Sequence, residues 1–285
     1  MGIEFINEVE KDYSEYCFQK LKALVPSYQK TEDEKCIWDY HRYKFRKITD
    51  TPRQVFVASS LNRRSKFENV VSQILNKIEK GEPLLEYQSR LLKNADFDDG
   101  MLMDWGVQHL HLGDSIESDG FVKRTKELLF IKFTPDAAYL LGIFEHNDWS
   151  TLKVLEIIHE NWPKVIEQHK VRNIVDISHC PDEETIKKFR EIGLNYAVKL
   201  SDGTVYMGPG GGITAAGTPA EVTHNVLHLR RTFLHAYNHI VEEFDAICEQ
   251  IGIDCTLDKV SIGLNLSDGK LVYILKELDQ GIVLA

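Results

Sequence analysis

From Glu4 to Val25 the apolar positions Phe5, Ile6, Val9, Tyr13, Tyr16, Cys17, Leu21 and Leu24 recur every three or four residues until Pro26 interrupts them. That spacing predicts an amphipathic helix over 4–25. FENVVSQILNKIE (67–79) repeats it with Phe67, Val70, Val71, Ile74 and Ile78, and Gly81 and Pro83 mark its end. QVFVASSL, between the two, reads as a short strand. Residues 1–99 therefore form a mainly helical region, closed by the loop-like NADFDDG at 94–100.

After that loop the period shortens to two. In WGVQHLHLGD (105–114) Leu110 and Leu112 share one strand face with Gln108, while His109 and His111 share the other with Val107. ELLFIKF (127–133) and AAYLLGIFEH (137–146) are apolar runs joined by Thr134-Pro135-Asp136, which predicts a hairpin whose second strand ends at His146. A helix with Leu152, Leu155 and Ile158 on one side follows. Residues 100–165 thus form a small central antiparallel sheet plus a helix, and they carry a histidine face.

The remainder, 166–285, predicts a C-terminal α+β unit. NIVDIS (173–178) reads as a strand, Asp182 caps a helix that Gly193 ends, and NYAVKLSDGTVYMG turns as a hairpin at Ser201-Asp202-Gly203. Thr218-Pro219-Ala220-Glu221 has the capping-box arrangement and opens a helix over 219–251 with apolar positions from Val222 to Ile251. KVSIGLNL and KLVYILKEL form a last hairpin, with GIVLA as an edge. The fold class is α+β throughout.

Charge and cysteine content narrow the setting. The chain of 285 residues has a formal charge of −10, yet Asp39 to Lys66 holds eight basic residues against two acids. Within it, YHRYKFRK interleaves Arg42, Lys44 and Arg46 with Tyr40, Tyr43 and Phe45, a mixture suited to phosphates and stacked bases; a helix whose aromatics face the core gives the same pattern. Five cysteines without a Cys-x-x-Cys pair suggest reduced thiols. The amino terminus has no signal-peptide pattern and no window matches a membrane span, so a soluble cytoplasmic protein without a membrane partner is expected.

The histidines carry the candidate chemistry. His109, His111 and His146 can share the acid and base tasks of RNA cleavage, because imidazole titrates near neutrality. Alternatively His109 and His111, pointing the same way, hold a divalent metal with Asp114, His146 or Asp148 as third ligand. Half-buried imidazoles bonded to backbone are the structural alternative. On the predicted long helix, His224, His228, His235 and His239 fall within about 60° of one another, opposite the apolar stripe, without a His-Glu-x-x-His pattern. Arg230 and His235 match the Arg-x4-His spacing of HEPN-type RNases. GPGGG (208–212) reads as an anion-holding loop or a flexible connector.

ELLFIKFTPDAAYLLGIFEHNDW, with the preceding strand, resembles the closing sheet and hairpin of RelE- and YoeB-type bacterial toxins over 105–149. That resemblance implies an endoribonuclease in a toxin or phage-defence role, with His146 as catalytic histidine, Lys123, Arg124 or Lys126 flanking the phosphate, and an inhibitor protein as partner. The Arg expected early in the first hairpin strand is Glu127 or Leu128 here. The leading expectation is a nuclease with no cofactor, with RNA as partner, using His109, His111 and His146, with Arg42, Lys44, Arg46, Lys123 and Arg124 holding phosphates. Its alternatives are a metal-dependent hydrolase built on His109, His111 and Asp114, and a non-catalytic homo-oligomeric module joined through the long helix.

Overall fold

The chain folds in the α+β class. The computed structural model describes residues 3–59, 61, 66–146, 148–174, 177, 180–253, 257–267 and 269–284. In chain order the elements are β1 (Glu4–Asn7), α1 (Val9–Leu24), α2 (Asp33–Arg46), β2 (Gln54–Val57), α3 (Glu68–Lys80), α4 (Gly100–Trp105), β3 (Val107–His111), β4 (Glu127–Phe133), β5 (Ala137–Glu145), α5 (Lys153–Asn161), α6 (Glu183–Glu191), β6 (Ala197–Lys199), β7 (Val205–Met207), α7 (Ala220–Glu242), α8 (Phe244–Ile251), β8 (Lys259–Ser267), β9 (Lys270–Leu275) and β10 (Gln280–Ile282). Contacts group them into two units, Met1–Arg42 with Val222–Ala285, and Tyr43–Glu221. These units cut across the three consecutive segments 1–99, 100–165 and 166–285 drawn from the sequence, because the first strand pairs with one of the last.

In the first unit the sheet order is β1-β8-β9-β10, with β1 parallel to β8 in the register Glu4↔Lys259. Phe5 and Ile6 therefore belong to a strand and not to the predicted helix, which starts only at Val9. Phe5 packs edge-on against Phe244 with ring centroids 5.1 Å apart, so its side chain is used as a helix residue's would be, from a different backbone. The predicted helix over 219–251 is two helices. α7 has 23 residues, about 35 Å at 1.5 Å each, and the chain breaks at Glu243 before α8. Its stripe Val222, Val226, Phe233 and Ile240 is buried within the chain, with Phe233 against Tyr13 at 5.2 Å, so that stripe is not free to join a second copy.

In the second unit the sheet order is β2-β5-β4-β3. β3, β4 and β5 are antiparallel as expected, while β2 joins β5 in parallel, which makes the sheet mixed. Both faces are covered. Val107, Leu128, Phe130, Leu141 and Phe144 contribute to one core with α5 and α6, and Leu110, Leu112, Leu129, Ile131 and Leu140 to another with α3. A sheet buried on both sides accepts near-continuous apolar strands, which is why ELLFIKF and AAYLLGIFE lack strict alternation.

The expected cap at Asp182 is present, its carboxylate accepting from the Thr185 amide at 2.8 Å. Val175, Asp176 and Ser178 of NIVDIS lie outside the described residues, as do Arg63, Arg64 and the middle of the last hairpin turn. Cys17, Cys36 and Cys180 are outside any disulfide, but Cys248 is disulfide-bonded, which corrects the expectation of reduced thiols throughout. No described helix is long and apolar enough to cross a membrane.

The glycine-rich segment is neither a flexible connector nor an anion cradle. Its Gly210 amide donates to the Asp104 carbonyl at 2.8 Å and its Gly212 amide to the Met103 carbonyl at 2.9 Å, closing the carboxyl end of α4. A Cβ on Gly210 would overlap the Leu102 and Met103 carbonyl oxygens, both backbone atoms that cannot swing away. Gly210→Ala is expected to cost about 3 kcal/mol, read as a lowered urea midpoint, whereas Gly211→Ala avoids any overlap and is limited to the strain of its positive φ of 91°.

Candidate functional site

β3 and the end of β5 bring the three candidate histidines of WGVQHLHLG and FEH together. His109 and His111, two residues apart on β3, point to one side as the period of two requires, with ring centroids 6.0 Å apart. Trp149, in the turn before α5, connects them to His146. Its ring lies 4.6 Å from that of His109 and 5.0 Å from that of His146, both edge-on, and stacks on Phe130 at 5.8 Å. Asp99, the N-cap of α4, gives one oxygen to the Met101 and Leu102 amides and turns the other toward His109 Nδ1 at 3.8 Å.

The three imidazoles differ in access. His146 is exposed, the His109 side chain is 12% exposed, and His111 is 4% exposed. Burial holds the His109 pKa below the ordinary histidine value, against the pull of Asp99 in the other direction. It lowers His111 to about 4, with the charges of His109 and Arg124 acting in the same sense. Both rings are neutral at pH 7. Nδ1 of each is buried without a hydrogen-bond partner, a costly state that structural histidines avoid. This departs from the backbone-bonded alternative considered for these rings.

A histidine whose folded pKa lies below its unfolded value stabilises the fold fully above the unfolded value and loses that contribution as pH falls toward the folded one. For His111 the window runs from about 6.5 down to about 4. Each pH unit of that window is worth about 1.4 kcal/mol, and solvent near the ring reduces the total to about 2 kcal/mol. Stability should therefore fall between pH 6.5 and 5, where carboxylates still carry charge. His111→Gln should flatten that slope in urea titrations; an unchanged slope would show that the ring does not titrate there.

The predicted phosphate-binding residues do not form one surface. Lys123 and Arg124 are exposed, and Arg124 acts on His111. Arg46 is buried and its guanidinium donates to the carbonyls of Leu91, Asn94 and Ala95 at 2.8–3.0 Å, so it fixes a loop and is not offered to a phosphate. Tyr40 and Tyr43 are buried as well and Phe45 is half-buried, so two of the three aromatics of YHRYKFRK are withdrawn from any stacking role. Lys44 is exposed, and Arg42 lies 3.9 Å from Asp39. Lys126 pairs with Glu145 at 2.9 Å.

Among the described residues no group of three or more His, Cys, Asp or Glu side chains is arranged to hold a metal. Asp114 is exposed beyond the end of β3 and does not complete a set with His109 and His111. The cavity beside His109, bounded by Arg46, Gln88, Phe97, Asp99 and Gln108, has about 30 Å³, room for one water. A larger groove along β5 includes Glu127, Glu145, Asp148 and Glu183 against Lys66 and Lys153, a lining that repels phosphates.

Sequence reading missed Asp99, although an Asp directly before GMLMDW is an N-cap signal. It also missed Lys132, the one basic residue of ELLFIKF. Lys132 is buried and donates to the Trp105 carbonyl at 3.1 Å, at the carboxyl end of α4 where a cation is favoured. Burial lowers its pKa to about 8, with Glu221 opposing.

Comparison with protein-family models, curated proteins and solved structures finds no match to this chain.

Proposed function

We propose that the His109 and His146 face of the second unit cleaves RNA by acid/base transfer, without a cofactor. The observation that carries this reading is the convergence of His109 and His146 on Trp149, with His111 beside His109, Asp99 turned toward His109 and two buried ring nitrogens unpartnered. Neutral His109 accepts the proton of a 2′-hydroxyl as its oxygen attacks the adjacent phosphorus. His146, exposed at the rim, protonates the departing 5′-oxygen. The products are a 2′,3′-cyclic phosphate and a 5′-hydroxyl end, so the protons balance.

Arg124 supplies the cation for the phosphate, with Lys123 beside it, and the half-buried Trp149 offers a ring edge to a base. His111 is too deeply buried to meet a polymer and positions its neighbours. A cavity of one water beside His109 suits a substrate that stays on the surface, as an RNA strand does. The RelE-like order of strand, turn, strand and terminal histidine supports the same reaction, and with it a cytoplasmic toxin or defence role checked by an inhibitor protein.

The test is end-labelled RNA incubated with the purified chain, with and without EDTA. Cleavage that survives EDTA and leaves a cyclic phosphate is the expected result. Intact RNA in every lane would sink the reading, and cleavage that EDTA abolishes would replace it with metal chemistry.

A further inference from the structure

The first unit carries a groove with two fixed cations, Arg231 and Lys270, that RNA cleavage does not use. One stripe of α7 presents His228, Arg231, Thr232, His235 and His239, and it lines a groove of about 950 Å³ with Lys270, Leu271 and Tyr273 of β9 and with Val283 and Leu284. Arg231 falls at the same helical angle as the histidine row noted in the sequence, being seven residues from His224 and four from His235. From His228 to His239 the stripe runs about 16 Å.

Among the described residues, Arg231 and Lys270 have no carboxylate facing them across this groove. No carboxylate lines it among the described residues. Nor does any described carboxylate pair with Arg231 or Lys270. The neighbouring Arg230 shows the contrast, because Glu10 and Glu34 hold its guanidinium on another side of the helix. That arrangement also separates Arg230 from His235, so their Arg-x4-His spacing does not build a joint site.

A second, independent observation points to a ligand. Tyr273 lines the groove, is 2% exposed, and its hydroxyl has no hydrogen-bond partner. A buried phenol without a partner costs about 1–3 kcal/mol unless something in the groove bonds to it. The wall near it is apolar, made of Leu271, Val283, Leu284 and Ala236. Two fixed cations, Arg231 and Lys270, with imidazoles beside them, an orphaned donor and an apolar wall in one groove fit a ligand with phosphates at one end and a less polar body at the other. The volume is at the upper end of the roughly 300–1,000 Å³ of small-molecule sites.

We infer that this groove binds a phosphorylated small molecule of nucleotide size, its phosphates on Arg231, Lys270 and the α7 histidines and its body against Tyr273 and the apolar wall.

The test is calorimetric titration of the full chain with ADP, with pyrophosphate and with a short oligoribonucleotide, each repeated with Arg231→Glu and Tyr273→Phe proteins. Circular dichroism confirms that each variant is folded. The expected result is ADP binding about tenfold tighter than pyrophosphate, weakened at least about tenfold by Arg231→Glu and about threefold by Tyr273→Phe. Silence with both small probes up to about 1 mM, or equal affinity in the parent and Arg231→Glu proteins, overturns the proposal. An oligoribonucleotide that binds more tightly than ADP and is lost with Arg231→Glu overturns it too, in favour of a polymer path.

Discussion

Asp104→Ala is expected to destabilise the second unit by about 3–5 kcal/mol. Asp104 ends α4 with an 11% exposed side chain, and its Oδ2 accepts from Arg190 Nε at 2.5 Å and from the Tyr196 hydroxyl at 2.7 Å. Arg190 lies over the Trp105 ring at 4.5 Å, donates to the Trp149 carbonyl, and already has one buried Nη2 without a partner. Burial and Asp104 both raise the Tyr196 pKa, which keeps the phenol protonated and donating. Removing the carboxylate takes the shared acceptor from a guanidinium and a phenol that are both largely withdrawn from solvent.

The double variant Asp104→Ala/Arg190→Met separates charge burial from packing. It should recover more than half of the lost stability, because a hydrophobic side chain replaces an ion that would otherwise lie unpaired. Urea unfolding followed by Trp fluorescence reads both variants. A single variant within about 1 kcal/mol of the parent chain would show that the pair is solvated and structurally minor.

The same network shows why so much of the site was illegible in the sequence. Asp104 and Arg190 are 86 residues apart, and no local pattern relates them. What was legible was local: the period of two that puts His109 and His111 on one face, the turn at 134–136, and the caps at Asp182 and Gly193. Faces were readable; what covers them was not. The histidine face read as a half-solvated one because imidazoles alternate with leucines, whereas Trp149 and the core built on α5 close over much of it, leaving His146 exposed, the His109 side chain 12% exposed and His111 buried.

Two misread elements have equally physical causes. Phe5, Ile6 and Val9 fit a helical repeat, but β8 offers Glu4–Asn7 a ladder of backbone hydrogen bonds from more than 250 residues away, which periodicity cannot see. At the other end, the helix beyond Glu243 changes phase. Phe244 and Cys248 are buried in α8 and Ile251 is exposed, where one continuous stripe placed Ile247 and Ile251 inward. YHRYKFRK shows the limit of composition in the same way: Tyr40, Tyr43 and Arg46 are buried, so much of a segment that looks like a nucleic-acid surface serves the packing of α2.

His146→Ala should lower RNA cleavage by about 10²–10⁴-fold, the range for removing a positioned acid or base. His109→Ala should do the same through the other proton. The combined variant should lose little more than either alone, because two groups acting in one step are not additive. Arg124→Ala removes a charge exposed to solvent and should cost only about tenfold, with a steeper loss at higher salt in the parent chain than in the variant. His111→Gln, buried behind the reacting groups, should keep most of the rate while losing acid sensitivity of folding, so the two buried rings can be told apart. Single-turnover rates on one RNA distinguish these outcomes from weaker binding. If His146→Ala and His109→Ala both cleave at the parent rate, the convergence of these rings on Trp149 is a packing arrangement and the acid/base assignment fails.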